Sequence, residues 1–405
     1  MKDKKVLTYD NKLLVLLSFI LGFVFFDRMA LSYLVPFFDT ELTLNNTRIG
    51  LLNSMLSLAW AMSGYLTGYW SDKIARRKKL LLAAVVVFSI CSFLSGFAGS
   101  FGWLLICRII MGAAEGPVIP LSQSIILNNS NQKRRGFNMG FVQGFVTSIL
   151  ATLAPVLLVM VASKYGWRNG FFVAGLPGLV LACIGYLLIK EMPSVQKSIT
   201  NHSVYKGIIF SYKNIRLAIG IGGCMMIWLF VQTSFLPQYL MTMKHLAAAN
   251  MGIVMTSFGA GGIFWGIALP WLSDQFGRKP VLVLATLISV LMPLALMFSD
   301  TVVSHLIAWV VVGSPVLGSL PIALIIIPAE SVPRAFVAQT IGLVVGLAEI
   351  IGGFIAPALA GLAADKFGLT AVFYIAAGAI VIASIFAFFL IETAPISLNK
   401  KKILR

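Results

Sequence analysis

The chain has 405 residues, of which 59% are hydrophobic and only 11% are charged, and its formal net charge at pH 7 is +17. Soluble domains carry about 25% charged residues, so this composition excludes a soluble globular protein. The apolar residues form blocks long enough for helices that cross a bilayer, unlike the short alternating segments of a membrane β-barrel. An all-α polytopic membrane protein is therefore predicted.

Twelve apolar segments are predicted to cross the membrane. They lie near residues 13–37, 50–70, 80–98, 103–127, 138–162, 170–190, 216–240, 251–272, 281–299, 303–328, 337–361 and 371–391. Most of the 31 lysines and arginines fall in the loops on the side of the N-terminus. Cytoplasmic loops are enriched in these residues, so both termini are predicted to be cytoplasmic. The basic charge thus indicates topology, and nucleic acid is not expected as a partner.

The two halves of the sequence repeat with a constant offset of 202 residues. Charged residues and prolines are in register: Asp72 with Asp274, Arg76 with Arg278, and Pro155 with Pro357. The repeat predicts an N-terminal six-helix bundle over residues 1–190, a cytoplasmic linker over 191–215 and a C-terminal six-helix bundle over 216–405. Parallel repeats of this kind are typical of transporters whose halves move about a site near the middle of the bilayer.

Charge inside the predicted spans is concentrated in the first bundle. Asp27 and Arg28 lie near the middle of the first span, and Arg108 and Glu115 lie in the fourth. Seven residues are close to two helical turns, so Arg108 and Glu115 project from one face, roughly 10 Å apart along the axis. The repeat aligns these four residues with uncharged ones: Leu229, Phe230, Val310 and Leu317. The charges are therefore not required by the fold, although a static buried ion network is an alternative explanation.

The loop after the second span contains Asp72 and Arg76, and the loop after the eighth contains Asp274 and Arg278. Positive charge in cytoplasmic loops explains the basic residues but not an aspartate in both copies. Both loops resemble the signature Gly-x-x-x-Asp-x-x-Gly-Arg-Arg/Lys of the major facilitator superfamily. The resemblance implies a fold of twelve helices in two bundles. It also implies that these four residues form a cytoplasmic gate and not a substrate site.

Two further polar positions lie in the second bundle. Gln232 belongs to a polar patch before Pro237 in the seventh span, and Glu349 is an acid well inside the eleventh. A proline-broken helix exposes backbone for a ligand, although hydrogen bonding between helices is an equal alternative for the patch. All three histidines fall in predicted loops, which argues against a histidine proton relay in the membrane.

Arginine and carboxylate in one cavity suggest a coupling chemistry. Arg28 and Arg108 each offer a planar fork that suits a carboxylate or phosphate. Asp27 and Glu115 would repel an anion unless protonated, so they are predicted to carry protons. Desolvation favours their neutral form and a neighbouring arginine favours the charged form, and the sequence leaves the balance open. If protonation releases an arginine, proton and anion binding assist each other. Sodium coupling remains an alternative.

The pattern in the first and fourth spans resembles the anion:cation symporter family of the superfamily, which includes bacterial hexuronate and aldonate carriers. The resemblance implies anion contact for Arg28 and Arg108 and proton coupling for Asp27 and Glu115. Trp60 is predicted as a substrate contact, although it departs from the family in standing where bacterial members often have tyrosine. Glu349 stands near a position that is often asparagine, and is predicted to be an additional proton-coupling acid.

The predicted function is proton-coupled symport of a small organic anion, a sugar acid or another carboxylate, by alternating access. A proton-driven exporter of a drug or metabolite is the alternative, although the fifth span lacks the Gly-Pro-x-x-Gly-Gly motif of drug:proton antiporters. The sequence has no nucleophile, metal or nucleotide constellation. The protein is therefore expected not to be an enzyme, to need no cofactor or metal, and to act as a monomer in the lipid bilayer.

Overall fold

The computed structural model describes residues 9–70, 77–130, 134, 138, 141–142, 146–190, 210–333 and 336–394. Within these residues, twelve helical segments are long and apolar enough to cross a membrane. They are numbered α1 to α12 in chain order: Tyr9–Phe37, Asn46–Thr67, Arg77–Ser95, Phe101–Ile126, Val146–Tyr165, Trp167–Leu188, Lys213–Thr242, Ala248–Phe276, Arg278–Phe298, Val303–Ser331, Gln339–Phe367 and Ala371–Phe388. The predicted all-α fold with twelve transmembrane helices is confirmed.

Glycines end several of these helices beyond the apolar stretches that predicted them. Gly277 follows α8 with φ of 107°, and Gly368 follows α11 with φ of 85°. A side chain is strained in this left-handed region, so glycine is the residue that allows the chain to leave the helix there. The spans were predicted to end at residues 272 and 361, but residues 273–276 and 362–367, which include Asp274 and Asp365, continue the two helices to their terminal glycines.

Several of the spans are not regular α-helices along their whole length. In α4, a helix over Phe101–Glu115 is followed by a second over Val118–Asn129, with Gly116 and Pro117 between them. Pro117 has no backbone N–H, so it cannot make the helical bond that would continue the first segment. Single π-helical turns occur in α10 at Ile322–Ile326 and in α11 at Ile350–Ile355. Such turns often mark functional sites in helices.

The contacts divide the chain into two compact units. Residues 1–43 and 55–198 form the first unit, and residues 44–54 and 199–405 form the second. In the first unit, α1 packs against α5 and α6, and α3 packs against α4 and α6. In the second, α7 packs against α11 and α12, and α8 against α10. Part of the predicted linker lies outside the described residues, so the predicted domain boundaries stay a prediction.

The first turn of α2 is held within the second unit by one acid. The two carboxylate oxygens of Asp365 accept hydrogen bonds from the backbone N–H groups of Asn46 and Thr47, both at 2.9 Å. They also accept from the side chains of the same two residues, at 3.0 and 2.5 Å. The first N–H groups of a helix have no partner within the helix, and a carboxylate there stabilises it.

The second and fourth helices approach closely inside the first unit. A side-chain carbon built on Gly112 would overlap the backbone carbonyl of Leu56, and one built on Gly116 would overlap the carbonyl of Trp60. Membrane helices use such small residues to bring their backbones together. This packing places residues 57–60 of α2 beside the segment of α4 that carries the charged residues.

Gly112→Ala is expected to destabilise the protein by about 1–3 kcal/mol, because the added methyl group meets backbone that has no room to move. The measurement is the thermal unfolding midpoint of the purified protein in detergent. Gly102→Ala is the matched control in the same helix, since nothing lies within 4 Å of its added carbon. An equal midpoint in the two variants would contradict the close packing of α2 on α4.

Candidate functional site

Four charged side chains predicted from the sequence come together in the first unit. Asp27 and Arg28 lie on α1, and Arg108 and Glu115 lie on α4; their exposed fractions are 0%, 7%, 0% and 0%. Asp27 interacts electrostatically with Arg108, and Glu115 interacts with both arginines and with Asp27. These four residues are called the charged cluster below. Burial of charge at this depth is stable only when opposite charges compensate each other.

The two charged residues of α1 are held by different neighbouring helices. Ser92 on α3 donates a hydrogen bond of 2.5 Å from its hydroxyl to Oδ1 of Asp27. Nη2 of Arg28 donates to the hydroxyl of Ser57 on α2 at 2.9 Å. Consecutive residues project about 100° apart around a helix, so one helix can present an acid to one neighbour and a base to another. Two side chains that are adjacent in sequence therefore reach different helices, Asp27 towards α3 and Arg28 towards α2.

Trp60 contacts the arginine of α1 in this structure. The guanidinium carbon of Arg28 lies 5.2 Å from the centroid of the Trp60 ring, a distance suited to a cation–π interaction. The sequence predicted a substrate contact for Trp60. In the geometry observed, Trp60 and Ser57 together orient Arg28, and the substrate contact of Trp60 stays a prediction.

The arginine of α4 has spare hydrogen-bonding capacity. The guanidinium carbon of Arg108 lies 5.7 Å from the centroid of the Phe171 ring, and Nη1 contacts the sulfur of Met111 at 3.5 Å. Nε and Nη2 of Arg108 have no hydrogen-bond partner among the described residues. Buried polar atoms are nearly always paired, so two buried donors without a partner point to a ligand that they bind. The side of a guanidinium group that carries Nε and Nη2 matches the two oxygens of a carboxylate.

The carboxyl groups also have oxygens without partners. Oδ2 of Asp27 and both oxygens of Glu115 accept no hydrogen bond in the described part of the chain. Glu115 is the last residue of its helical segment, directly before the break at Gly116 and Pro117. The cluster therefore holds two bases and two acids, with hydrogen-bonding capacity left on Asp27, Arg108 and Glu115. Groups of these two kinds are chemically able to bind an anion and to exchange a proton.

The other predicted residues of the membrane interior lie in the second unit. Gln232 on α7 is 1% exposed, and neither its side-chain oxygen nor its nitrogen has a partner among the described residues. Glu349 is buried directly before the π-helical turn of α11, and its carboxylate and the Phe230 ring both border Gly353. The roles predicted for Gln232 and Glu349 stay predictions.

The second copy of the loop motif forms a polar network. Arg278 pairs with Asp274 at 2.5 Å and with Glu330 of α10 at 3.1 Å. Its Nη1 also donates to the hydroxyl of Ser273 at 2.7 Å. Glu392, after α12, accepts hydrogen bonds from the backbone N–H groups of Arg278 and Lys279 at 2.9 and 3.1 Å. Asp72 and Arg76, the first copy, lie outside the described residues.

Sequence reasoning missed several residues that hold the predicted ones. They are Ser57, Ser92, Met111 and Phe171 in the first unit, and Glu330 and Glu392 in the second. Serine is common in membrane helices, so its presence alone gave no signal. Glu330 and Glu392 stand at span ends, where acids are ordinary. In the described part of the chain, no group of three or more His, Cys, Asp or Glu residues is suited to a metal ion.

The sequence was compared with protein families and with known proteins. Residues 17–357 and 217–404 match the model of the Major Facilitator Superfamily. The chain is 28% identical over 275 residues to a probable 4-methylmuconolactone transporter of Cupriavidus pinatubonensis, covering 64% of this chain and 62% of that protein. It is 27% identical over 282 residues to the hexuronate transporter of Bacillus subtilis, covering 67% and 66%. The chain thus matches less than two thirds of the length of either relative.

A solved structure shares the fold. A bacterial homologue of the human lysosomal transporter Spinster, crystallised in an inward-facing and unoccupied conformation, superimposes with a TM-score of 0.81. The two chains are 18% identical, and the match covers 94% of this chain and 96% of the other. The likeness concerns the arrangement of the helices alone. Both sequence relatives are transporters, which agrees with the prediction that this chain is not an enzyme.

Glu330→Gln is expected to destabilise the protein by about 1–3 kcal/mol, because Arg278 is buried and loses a charged partner. The thermal unfolding midpoint in detergent measures this effect. The control is Glu41→Gln, which removes an exposed ion pair with Arg168 at 2.6 Å. Hydrogen bonds from Arg168 and Trp167 hold the pKa of Glu41 below its ordinary value, but an exposed pair contributes little to stability. If the unfolding midpoint of Glu330→Gln falls no further than that of Glu41→Gln, the network around Arg278 does not stabilise the protein as predicted.

Proposed function

The chain belongs to the major facilitator superfamily, and we propose that it is a secondary transporter that carries a small organic anion together with protons by alternating access. The predicted resemblance to this superfamily is confirmed, and the chain is a multi-pass membrane protein. The proposed cargo is a sugar acid or another carboxylate. The observation that carries the proposal is Arg108, a fully buried arginine whose Nε and Nη2 have no hydrogen-bond partner among the described residues.

Arg108 and Arg28 are proposed as the anion receptor. A guanidinium group stays protonated in a medium of low polarity, and its fork binds a carboxylate through two parallel hydrogen bonds. The contacts of Arg28 with Ser57 and Trp60 fix its orientation before the substrate arrives. A receptor that is already oriented loses less entropy when it binds. The substrate class is supported by the names of the two relatives, a probable 4-methylmuconolactone transporter and a hexuronate transporter.

Asp27 and Glu115 are proposed as proton carriers. Both are fully buried, and both interact electrostatically with Arg108. An incoming anion adds a negative charge to a cluster whose formal charges sum to zero when all four groups are ionised. A proton taken up by either acid removes that excess, so anion binding and proton binding favour each other. Glu349 is proposed as an additional proton-coupling acid, and Gln232 as a substrate contact in the second unit.

The network around Arg278 is proposed as half of a cytoplasmic gate, with Asp72 and Arg76 as its counterpart in the first repeat. Ion pairs and helix-end contacts of this kind form and break as whole units, which suits a switch between two states. We also propose that the protein resides as a monomer in the bacterial inner membrane, with both termini in the cytoplasm. The excess of basic residues on that side supports this orientation.

The proposal is tested by uptake into right-side-out membrane vesicles that contain the protein. Radiolabelled hexuronate, aldonate and aromatic acids are offered with the outside acidified and the membrane potential clamped. We expect at least one acid to accumulate against its gradient, because protons moving inward would drive it, and a protonophore should abolish the accumulation. Thermal-shift screening of the same acids identifies which one to use, since a bound ligand raises the unfolding temperature.

Arg108→Gln provides the control for this experiment. Truncating a buried charged partner costs several kcal/mol, so the affinity for the acid should fall about 100-fold or more. The thermal shift should then disappear at concentrations that saturate the wild-type protein. Retained affinity in this variant would remove Arg108 from the receptor. Failure of every acid to accumulate, together with extrusion of an amphiphilic compound, would support an exporter instead.

Glu115→Gln should separate coupling from binding. The amide keeps the shape of the carboxyl group but cannot take up a proton, so exchange of preloaded anion should persist while accumulation driven by the pH gradient is lost. Both rates are measured in the same vesicles. Asp300→Asn is the control, because Asp300 is an exposed acid paired with His305 at 3.0 Å, and it should leave accumulation intact. Normal accumulation by Glu115→Gln would exclude Glu115 from the proton route.

A further inference from the structure

Ser92 occupies a position between two acceptors that belong to different helices. Its side chain is fully buried on α3, and its hydroxyl oxygen lies 2.5 Å from Oδ1 of Asp27 on α1. The same oxygen lies 3.3 Å from the backbone carbonyl oxygen of Phe171 on α6. A serine hydroxyl carries a single proton, so it can donate to one of these oxygens at a time. The geometry therefore contains two alternative hydrogen bonds.

The charge of Asp27 decides between these alternatives. An ionised carboxylate only accepts, and a distance of 2.5 Å is typical of a hydroxyl donating to a charged oxygen. When a proton arrives on Oδ1, the carboxyl group becomes a donor and gives its hydrogen bond to the oxygen of Ser92. The hydroxyl proton of Ser92 is then free to turn towards the carbonyl of Phe171. Only hydrogen bonds exchange in this step, apart from the O–H bond that the incoming proton forms.

Phe171 connects this exchange to the rest of the cluster. Its ring lies beneath the guanidinium group of Arg108, with 5.7 Å between the guanidinium carbon and the ring centroid. Ser92 can reach the Phe171 carbonyl because α3 and α6 approach closely at Gly175. A side-chain carbon built on Gly175 would lie 2.7 Å from the carbonyl of Ser89 and 3.1 Å from the Cβ of Ser92. The hydroxyl thus links the acid of α1 to the residue that contacts the arginine of α4.

The internal repeat offers an independent comparison. Asp27 aligns with Leu229 under the offset of 202, and Ser92 aligns with Leu294. The serine is thus absent from the copy in which the acid is absent. Phe171, by contrast, aligns with Phe373. If Ser92 were needed only for the packing of two helices, it could be present in a copy that lacks the acid. If its function is to bond the acid, it is expected only in the copy that has the acid.

We propose that Ser92 is a positioning residue that sets the pH at which Asp27 takes up its proton, by donating to the charged form and turning to the Phe171 carbonyl when Asp27 is neutral. This inference rests on the proposed role of Asp27 as a proton carrier. It adds a residue on α3 to a mechanism whose charged groups lie on α1 and α4. It also gives the protonation of Asp27 a direct structural consequence in α6.

Other groups around Asp27 also influence its protonation. Arg108, Glu115 and Cys91 interact with it electrostatically from α4 and α3, and Arg28 is its neighbour on α1. The second segment of α4, Val118–Asn129, has no charged residue. The titratable residues of α5 and α6 stand at helix ends or on exposed surface: Lys164, Tyr165, Arg168, Cys183 and Tyr186. Among the described residues, Ser92 is the one that donates a hydrogen bond to the carboxylate of Asp27.

The test is an infrared pH titration of the purified protein without substrate. The carboxyl stretching band that disappears in Asp27→Asn reports the protonation of Asp27. In Ser92→Ala the midpoint of this band should move to higher pH by about one to two units, because the charged form loses a strong hydrogen bond. Ser92→Cys preserves the volume better but donates only weakly, so its midpoint should move in the same direction.

Ser89→Ala is the matched control. Ser89 is fully buried one helical turn before Ser92, and its hydroxyl has no hydrogen-bond partner among the described residues. In Ser89→Ala, the midpoint of the Asp27 band should stay at the wild-type value. An unchanged midpoint in Ser92→Ala and Ser92→Cys would overturn the inference, and so would an equal shift in Ser89→Ala. If Ser92→Ala fails to fold, Ser92→Cys and the control decide the question.

The switch itself is visible in a structure of Asp27→Asn, which imitates the neutral acid. The separation between the Ser92 hydroxyl oxygen and the Phe171 carbonyl oxygen should shorten from 3.3 Å to about 2.8 Å. An unchanged separation would contradict the turning of the hydroxyl. These measurements use no transported anion. If the wild-type protein takes up no acid in vesicles, the proposed transport function is refuted. The role of Ser92 is decided separately, by the infrared titration.

Discussion

Compensation of buried charge is the constraint on which the first unit depends. Arg108, Asp27 and Glu115 are fully buried, and Arg28 is nearly so. An ion pair that loses one partner in such surroundings leaves an uncompensated charge, at a cost of about 3–5 kcal/mol. An anion can therefore enter the cluster only with a compensating change, and the smallest available change is a proton on one of the acids. The proposed coupling of anion to proton therefore rests on the electrostatics of the charged cluster, without a separate coupling element.

Close helix packing makes this compensation geometrically possible. Gly112 and Gly116 allow α4 to approach α2, and Gly175 allows α6 to approach α3. Side chains as short as serine then reach the charged residues of α1 from both sides. Larger residues at these glycines would move the serines away from Asp27 and Arg28. The glycines and the charged residues are thus parts of one arrangement, although they are distant in sequence.

Much of the fold and the four residues of the charged cluster could be predicted from the sequence, because strong physical signals mark them; the roles of these four residues stay predictions. Twelve apolar blocks predicted the spans, and charge in an apolar helix identified Arg108 and Glu115 without any structure. The partners Ser57 and Ser92 carry no such signal, since a hydroxyl becomes significant only through what it touches. The role of Asp365 at the start of α2 was invisible for the same reason, because it depends on residues more than 300 positions away. Two helix ends were placed too early, because residues that include Asp274 and Asp365 continue α8 and α11 to a glycine.

The internal repeat shows how the partners follow the charges. Arg28 aligns with Phe230, and its partner Ser57 aligns with Gly259. Asp27 and Ser92 are replaced together in the same way, so each charged residue of α1 disappears with the hydroxyl that bonds it. The second unit has an acid of its own at Glu349, which aligns with Thr147 and borders Phe230 across Gly353. A buried charge without its partner would be unstable in either copy, so the charged residues of α1 and the serines that bond them are present together in the first copy and absent together in the second.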